Sequence, residues 1–312
     1  MRKIIILIVA ILLILVFFPE LKAASVQKSI IPADAKWVIH FDMKKFSSTK
    51  LHELIMNDEG TIKVRKKTAR IFKLYKFDPL KDIANITIFG RGKEKEDTVA
   101  CIGGNFDKEH LLSLLGAETD YREIPYGKYT IYSWGYDDFG VFVNDNLVLF
   151  SGNEAAIKDA LDVISGKKEN ITSSPMITYV EAIPAEAFIA AVADDISSLA
   201  DDRGKAVILK KVGMASLAII EKAEDIALNL NITTESPQDA KKMEQIINGL
   251  LAFADLQLDE ATIGMKLLED VNIGISVDGN KIRMNVTCPV KKFISVISGK
   301  SKFSPSSLMG EL

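Results

Sequence analysis

The sequence predicts an α+β protein made of two tandem copies of one domain, each a mostly antiparallel sheet with helices packed on one face. Three observations carry that prediction. IPADAKWVIHFDMKKFSS begins at Ile31, and IPAEAFIAAVADDISS echoes it at Ile183. Further landmarks return in the same order: EDTVACIGGNFDKEHLLSLL (96–115) against EDIALNLNITTESPQDAKKMEQIINGLL (224–251), the turn of VFVNDNLVLF (141–150) against that of ISVDGNKIRMNV (275–286), and DVISGK (162–167) against SVISGK (295–300). In both halves the apolar period also switches between two and 3.6 at matching places. A spacing of about 150 residues is too long for a solenoid repeat and has the length of a domain.

The elements follow in order. Trp37, Ile39 and Phe41 alternate with Val38, His40 and Asp42, which gives a first strand; Phe188, Ala190 and Val192 match it in the second half. Ser47–Ser48 and Ser197–Ser198 stand where a hydroxyl can accept from the free N–H groups of a following helix. Strands are expected near 84–90 and 97–103, and again near 215–221 and 224–232. A second helix starts at Asp107 in one half and at Ser236–Pro237 in the other, where Ser236 with Asp239 makes a capping box. A strand and a hairpin follow, turned by Asn144-Asp145-Asn146 and by Asp278-Gly279. The closing helices carry the same stripe, Ile157, Leu161 and Ile164 against Val290, Ile294 and Ile297, and Gly166 and Gly299 end them. Each half thus has six strands and about three helices.

Before the first copy, Arg2 and Lys3 lead into an unbroken apolar run from Ile4 to Phe18, closed by Pro19. Ala23 and Ser25 then have the small side chains of a cleavage site, so residues 1–25 read as a signal peptide. A run of this length spans about 22 Å as a helix, short of the roughly 30 Å hydrocarbon core. The alternative is an uncleaved N-terminal anchor. The first domain covers 29–168, the polar stretch KENITSSP (168–175) links it to a second at 175–303, and 304–312 form a tail. The protein is expected to be exported, periplasmic or extracellular.

Beyond residue 25 the chain carries 36 basic and 41 acidic side chains, a net charge of about −5. That argues against a nucleic-acid partner, which needs a basic footprint to displace counterions. Two cysteines in 312 residues, Cys101 and Cys288, make no disulfide scaffold and are expected as unpaired thiols.

The P-A-D-A opening, the V-x-x-F-D of the first strand (38–42), FDPLKDI (77–83) before the second strand and GNFD (104–107) before a helix resemble a broad set of uncharacterised exported bacterial proteins with a duplicated α+β domain. The resemblance spans nearly the whole chain after the signal peptide. It implies export and duplication and brings no catalytic residue with it.

Candidate chemistry is sparse. Ser47-Ser48-Thr49-Lys50 has the S-x-x-K spacing of a penicillin-recognising enzyme, but no K-T-G strand follows and the second half has Ser-Ser-Leu-Ala. His40 and Asp42 share a strand face at a spacing that could offer two metal ligands, without a third. No catalytic residue, metal ligand or cofactor is therefore assigned. One stretch stands apart: TIKVRKKTARIFKLYKF (61–77) reads as a basic amphipathic helix. Lys63, Lys66, Lys67, Arg70 and Lys73 are its candidate contacts with an anionic membrane surface, polymer or protein partner. The function expected is a non-catalytic exported binding or structural module of the cell envelope. The alternative is an exported hydrolase with its site in an inter-domain cleft.

Overall fold

The computed structural model describes residues 26–58, 61, 62, 69, 73, 75–92, 97–118, 120–135, 137–194, 211–258 and 270–297. The protein is α+β, with a large antiparallel sheet and several helices. Its chain divides into two compact units after Asp194. Residues 1–25, expected as a signal peptide, and Ser197–Ser198, Gly299 and residues 304–312 lie outside the described residues.

Among the described residues the first unit holds eight strands: β1 (Trp37–Asp42), β2 (Ile83–Gly90), β3 (Thr98–Gly104), β4 (Arg122–Tyr126), β5 (Tyr129–Trp134), β6 (Asp138–Asn144), β7 (Leu147–Ser151) and β8 (Ile189–Asp194). They lie in the spatial order β8-β1-β2-β3-β7-β6-β5-β4, every neighbouring pair antiparallel. Alternation sends Val38, Phe89, Val99, Cys101, Val141 and Leu149 to one face, where none is more than 3% exposed. Helix α5 (Glu154–Ile164), which closes the first half, covers that face. Its Ile157 and Leu161 are fully buried, as the predicted stripe requires, and Ala156, Ala160 and Val163 widen it. Burying a side chain the size of Ile157, Leu161 or Val163 contributes roughly 1.5–3 kcal/mol, and an alanine less. Cys101 sits in this core as a free thiol, and burial pushes its pKa well up.

Short helices fill the first half's connections: α1 (Met43–Ser47), α2 (Lys50–Met56), α3 (Pro79–Asp82) and α4 (Lys108–Leu115). The serines do not start α2. Thr49 caps it, accepting from the His52 N–H at 3.0 Å, while the Ser47 and Ser48 hydroxyls donate to the Lys44 and Lys45 carbonyls at the end of α1. Between β7 and β8 stands α6 (Ile177–Glu181). The β4–β5 hairpin was not anticipated. It turns through Gly127, whose φ of +60° suits a residue without Cβ, and it places Pro125 on an edge strand where a missing N–H costs nothing.

The second unit has β9 (Val212–Lys222), β10 (Asp225–Thr234), α7 (Pro237–Leu258), β11 (Asn272–Asp278), β12 (Lys281–Pro289) and α8 (Val290–Ile297). Its strand order is β9-β10-β12-β11, again antiparallel. Ala240 and Met243 of α7 pack with Val212 and Ile282 of the sheet in one buried cluster. Ser236 caps α7: the Asp239 N–H donates to its Oγ at 3.1 Å, and that hydroxyl donates to Asp239 Oδ2 at 2.6 Å, a side-chain bond where the predicted box has one to the Ser236 N–H. Gly279, with φ +58°, turns the β11–β12 hairpin where the sequence predicts it.

Candidate apolar binding site

The face of the first unit's sheet away from α5 is built from the alternate residues. Register sets Tyr132 beside Gly140, Gly140 beside Phe150, and Phe142 beside Val148 across β5, β6 and β7. With Trp134 these side chains make an aromatic wall. Tyr132 and Phe142 meet edge to face at 6.3 Å, and Trp134 and Phe150 at 6.2 Å. Gly140 gives the wall its depth, because a Cβ there would stand 3.0 Å from Trp134 and 3.3 Å from Phe150.

Helix α4 lies over this wall. Asp107 caps it by accepting from the His110 N–H at 3.0 Å, so its start is fixed locally. Leu111, Leu114 and Leu115 face the sheet, yet none of α4's residues is buried. Between the leucines and the wall lies a hollow of about 280 Å³, also lined by Tyr75 and Glu118. The contrast with α5 on the opposite face is direct: there the leucine and isoleucine meet their sheet, and here they face open space.

The polar groups around the hollow are few. Tyr121 stacks on Tyr132 at 6.3 Å, and burial, then its hydrogen bond to Glu123 (2.7 Å), pushes its pKa up to about 12. Burial and the charge of Glu123 raise Tyr132 as well. Both phenols are therefore neutral at physiological pH. The Lys108 ammonium lies 5.6 Å from the centre of the Phe142 ring.

The residues singled out by the sequence fare as follows. Lys73 is exposed, and Lys63, Lys66, Lys67 and Arg70 lie outside the described residues. Ser47 spends its hydroxyl on a backbone carbonyl, and Lys50 pairs with Glu53 at 2.8 Å, so the S-x-x-K residues take local structural roles. His40 Nδ1 meets Thr87 Oγ1 at 2.8 Å, while Asp42 caps α1 and pairs with Lys45 at 3.1 Å. Arg91 Nε donates to Asp34 at 2.7 Å and its Nη2 to Asp159, which Lys168 also reaches. That cluster ties the P-A-D-A loop to α5. Burial works to raise the Asp159 pKa, but the hydrogen bonds from Lys168 and Arg91 outweigh it and hold the pKa below the usual carboxylate range. Among the described residues no group of three or more His, Cys, Asp or Glu side chains could hold a metal ion, and no helix is long and apolar enough to cross a membrane.

The hollow escaped the sequence reading because its wall comes from three strands and exists only through their register. LLSLL in α4 was the one visible signal.

No protein-family model matches the chain, and no curated protein does. Among solved structures, the chain is similar to crystal form III of TP0453 at 10% identity, covering 90% of this chain and 99% of that one, with a TM-score of 0.49. For crystal form IV the values are 11% identity, 89% and 97% coverage and 0.49. Crystal form I gives 11% identity, 88% and 98% coverage and 0.46.

Proposed function

We propose that this protein is a non-catalytic, exported binding module of the cell envelope that takes an apolar ligand into the hollow beneath α4. One observation carries the proposal. Leu111, Leu114 and Leu115 present apolar surface to an aromatic wall across about 280 Å³ of unfilled space. Covering that surface is favourable at roughly 25 cal/mol per Å², and small-molecule sites are typically concave and mostly apolar. The segment holding Lys63, Lys66, Lys67, Arg70 and Lys73 adds attraction to anionic surfaces, and residues 1–25 direct export and are removed.

The test uses the lipophilic fluorophore N-phenyl-1-naphthylamine. The wild type should enhance its emission saturably, and Leu115→Asp, a change at a half-exposed position, should remove the enhancement with the melting temperature nearly unchanged. No saturable enhancement, or an equal one in the variant, overturns the reading.

The two halves are, on the same reading, copies of one domain. The order β2-β3-β7-β6 in the first unit corresponds to β9-β10-β12-β11 in the second, with α4 and α7 after the third strand of each half and α5 and α8 at the close. The register of β1 against β8 adds support. The IPADA and IPAEA motifs are offset by 152 residues (31 to 183), and β1 (37–42) shifted by that offset is β8 (189–194). At that offset, one residue on from the match with Phe188, Ala190 and Val192 that alternation alone gives, Ile39 lies opposite Ala191, its own counterpart, and Trp37 opposite Ala193, the counterpart of Phe41. The pairing is thus symmetric about Ile39.

A further inference from the structure

We infer that the ligand of the hollow is a single-chain amphiphile with a carboxylate head, bound with its hydrocarbon chain between α4 and the wall and its head at Lys108. The inference rests on the binding reading above and goes on to name the ligand's chemistry.

Four observations carry it. The stripe of α4 that faces the sheet begins with Lys108, continues one turn on at Leu111, and ends at Leu114 and Leu115. Its cationic end is placed against the wall, since the Lys108 ammonium sits 5.6 Å from the Phe142 ring that lines the hollow. Among the described residues no carboxylate pairs with that ammonium. Of the two acids that flank it in sequence, Asp107 directs an oxygen to the His110 N–H, and Glu109 is exposed. An anion arriving there gains a charge-assisted hydrogen bond without breaking an existing ion pair.

At the other end the hollow is bordered by Glu118, a turn beyond the leucines. A carboxylate placed there would meet like charge, so the two ends fix one orientation for an anionic amphiphile. Between them the walls offer leucine, valine and aromatic surface, which accommodates plain hydrocarbon and leaves a polar chain desolvated without partners. The volume decides the number of chains. About 280 Å³ lies just below the roughly 300–1,000 Å³ of sites that enclose drug-sized ligands, which favours one chain over two.

The test is calorimetric titration of the mature protein, residues 26–312, with dodecanoate, 1-dodecanol and dodecyltrimethylammonium below their aggregation limits, repeated on Lys108→Gln. Dodecanoate should bind about tenfold more tightly than dodecanol, and the cation more weakly than either. In Lys108→Gln the advantage of dodecanoate over dodecanol should vanish while dodecanol binding stays as it was. Trp134 emission in a Trp37→Phe variant, where it is the sole indole, should shift on saturation. If dodecanol binds as tightly as dodecanoate, or Lys108→Gln leaves dodecanoate binding intact, the head-group assignment falls and the apolar site stands. If none of the three binds, the apolar site itself falls.

Discussion

Trp37 of β1 lies across Gly90 of β2, its register partner: a Cβ on Gly90 would come within 2.6 Å of the indole Cζ2. The indole is held there by its Nε1–H, which donates to the Gly92 carbonyl at 2.9 Å. Gly90→Ala forces the ring aside and breaks that hydrogen bond. We expect a loss of about 1–3 kcal/mol, the usual range for overpacking. Chemical denaturation checks it, and in a Gly90→Ala/Trp37→Ala cycle the two effects should be strongly non-additive.

Asp159 is the acid on which Arg91 and Lys168 converge, and its side chain is only 13% exposed. Asp159→Asn should lower stability by about 1–3 kcal/mol at neutral pH by leaving Arg91 short of a partner. The sign of the pH dependence follows from the depressed pKa. The contribution is fully present above the ordinary value of 3.8 and is lost as pH falls through the lower folded-state value. Melting temperatures of wild type and variant should therefore differ at pH 7, draw together as pH falls below 3.8, and meet only below the lower folded-state value.

Ser236 caps α7 through the Asp239 N–H. Ser236→Ala should cost about 1 kcal/mol, and Ser236→Asn, which keeps an acceptor, much less. Hydrogen exchange in the first turn of α7 should rise in the alanine variant alone.

The basic segment gives a prediction from charge. Lys63, Lys66, Lys67, Arg70 and Lys73 all changed to Gln should abolish sedimentation with anionic vesicles at low salt. Each cation near such a surface is worth roughly 1 kcal/mol, less as salt screens it. Retained sedimentation in the variant would assign the attraction elsewhere.

What the sequence made legible was whatever repeats locally. β1 and the closing helices announce themselves by alternation and by a 3.6 stripe. Ser236-Pro237 marks a helix start because capping needs particular atoms at fixed offsets. β4 did not, since REIPY puts two charges and a proline on an exposed edge, where neither alternation nor β-propensity is required. Ala156 and Ala160 were missed as core because small side chains carry little apolar weight, though close contact with a sheet favours them. The wall of Tyr132, Phe142 and Phe150 was unreadable for another reason. Whether a leucine stripe is packed or left open depends on how closely a helix approaches its sheet, and no local pattern encodes that separation.

The symmetric register of β1 and β8 has a consequence for ancestry and assembly. Because the pairing is symmetric about Ile39, two copies of the same edge would pair in the same register, Ile39 against Ile39 and Trp37 against Phe41. On the proposal that the two halves are copies of one domain, β8 stands where the second subunit of a two-fold homodimer would place its β1. A fragment of residues 26–174 carries β1 without β8 and so presents an open edge. It should sediment as a dimer, and Ile39→Pro, which removes a ladder donor at the centre of that pairing, should return it to a monomer.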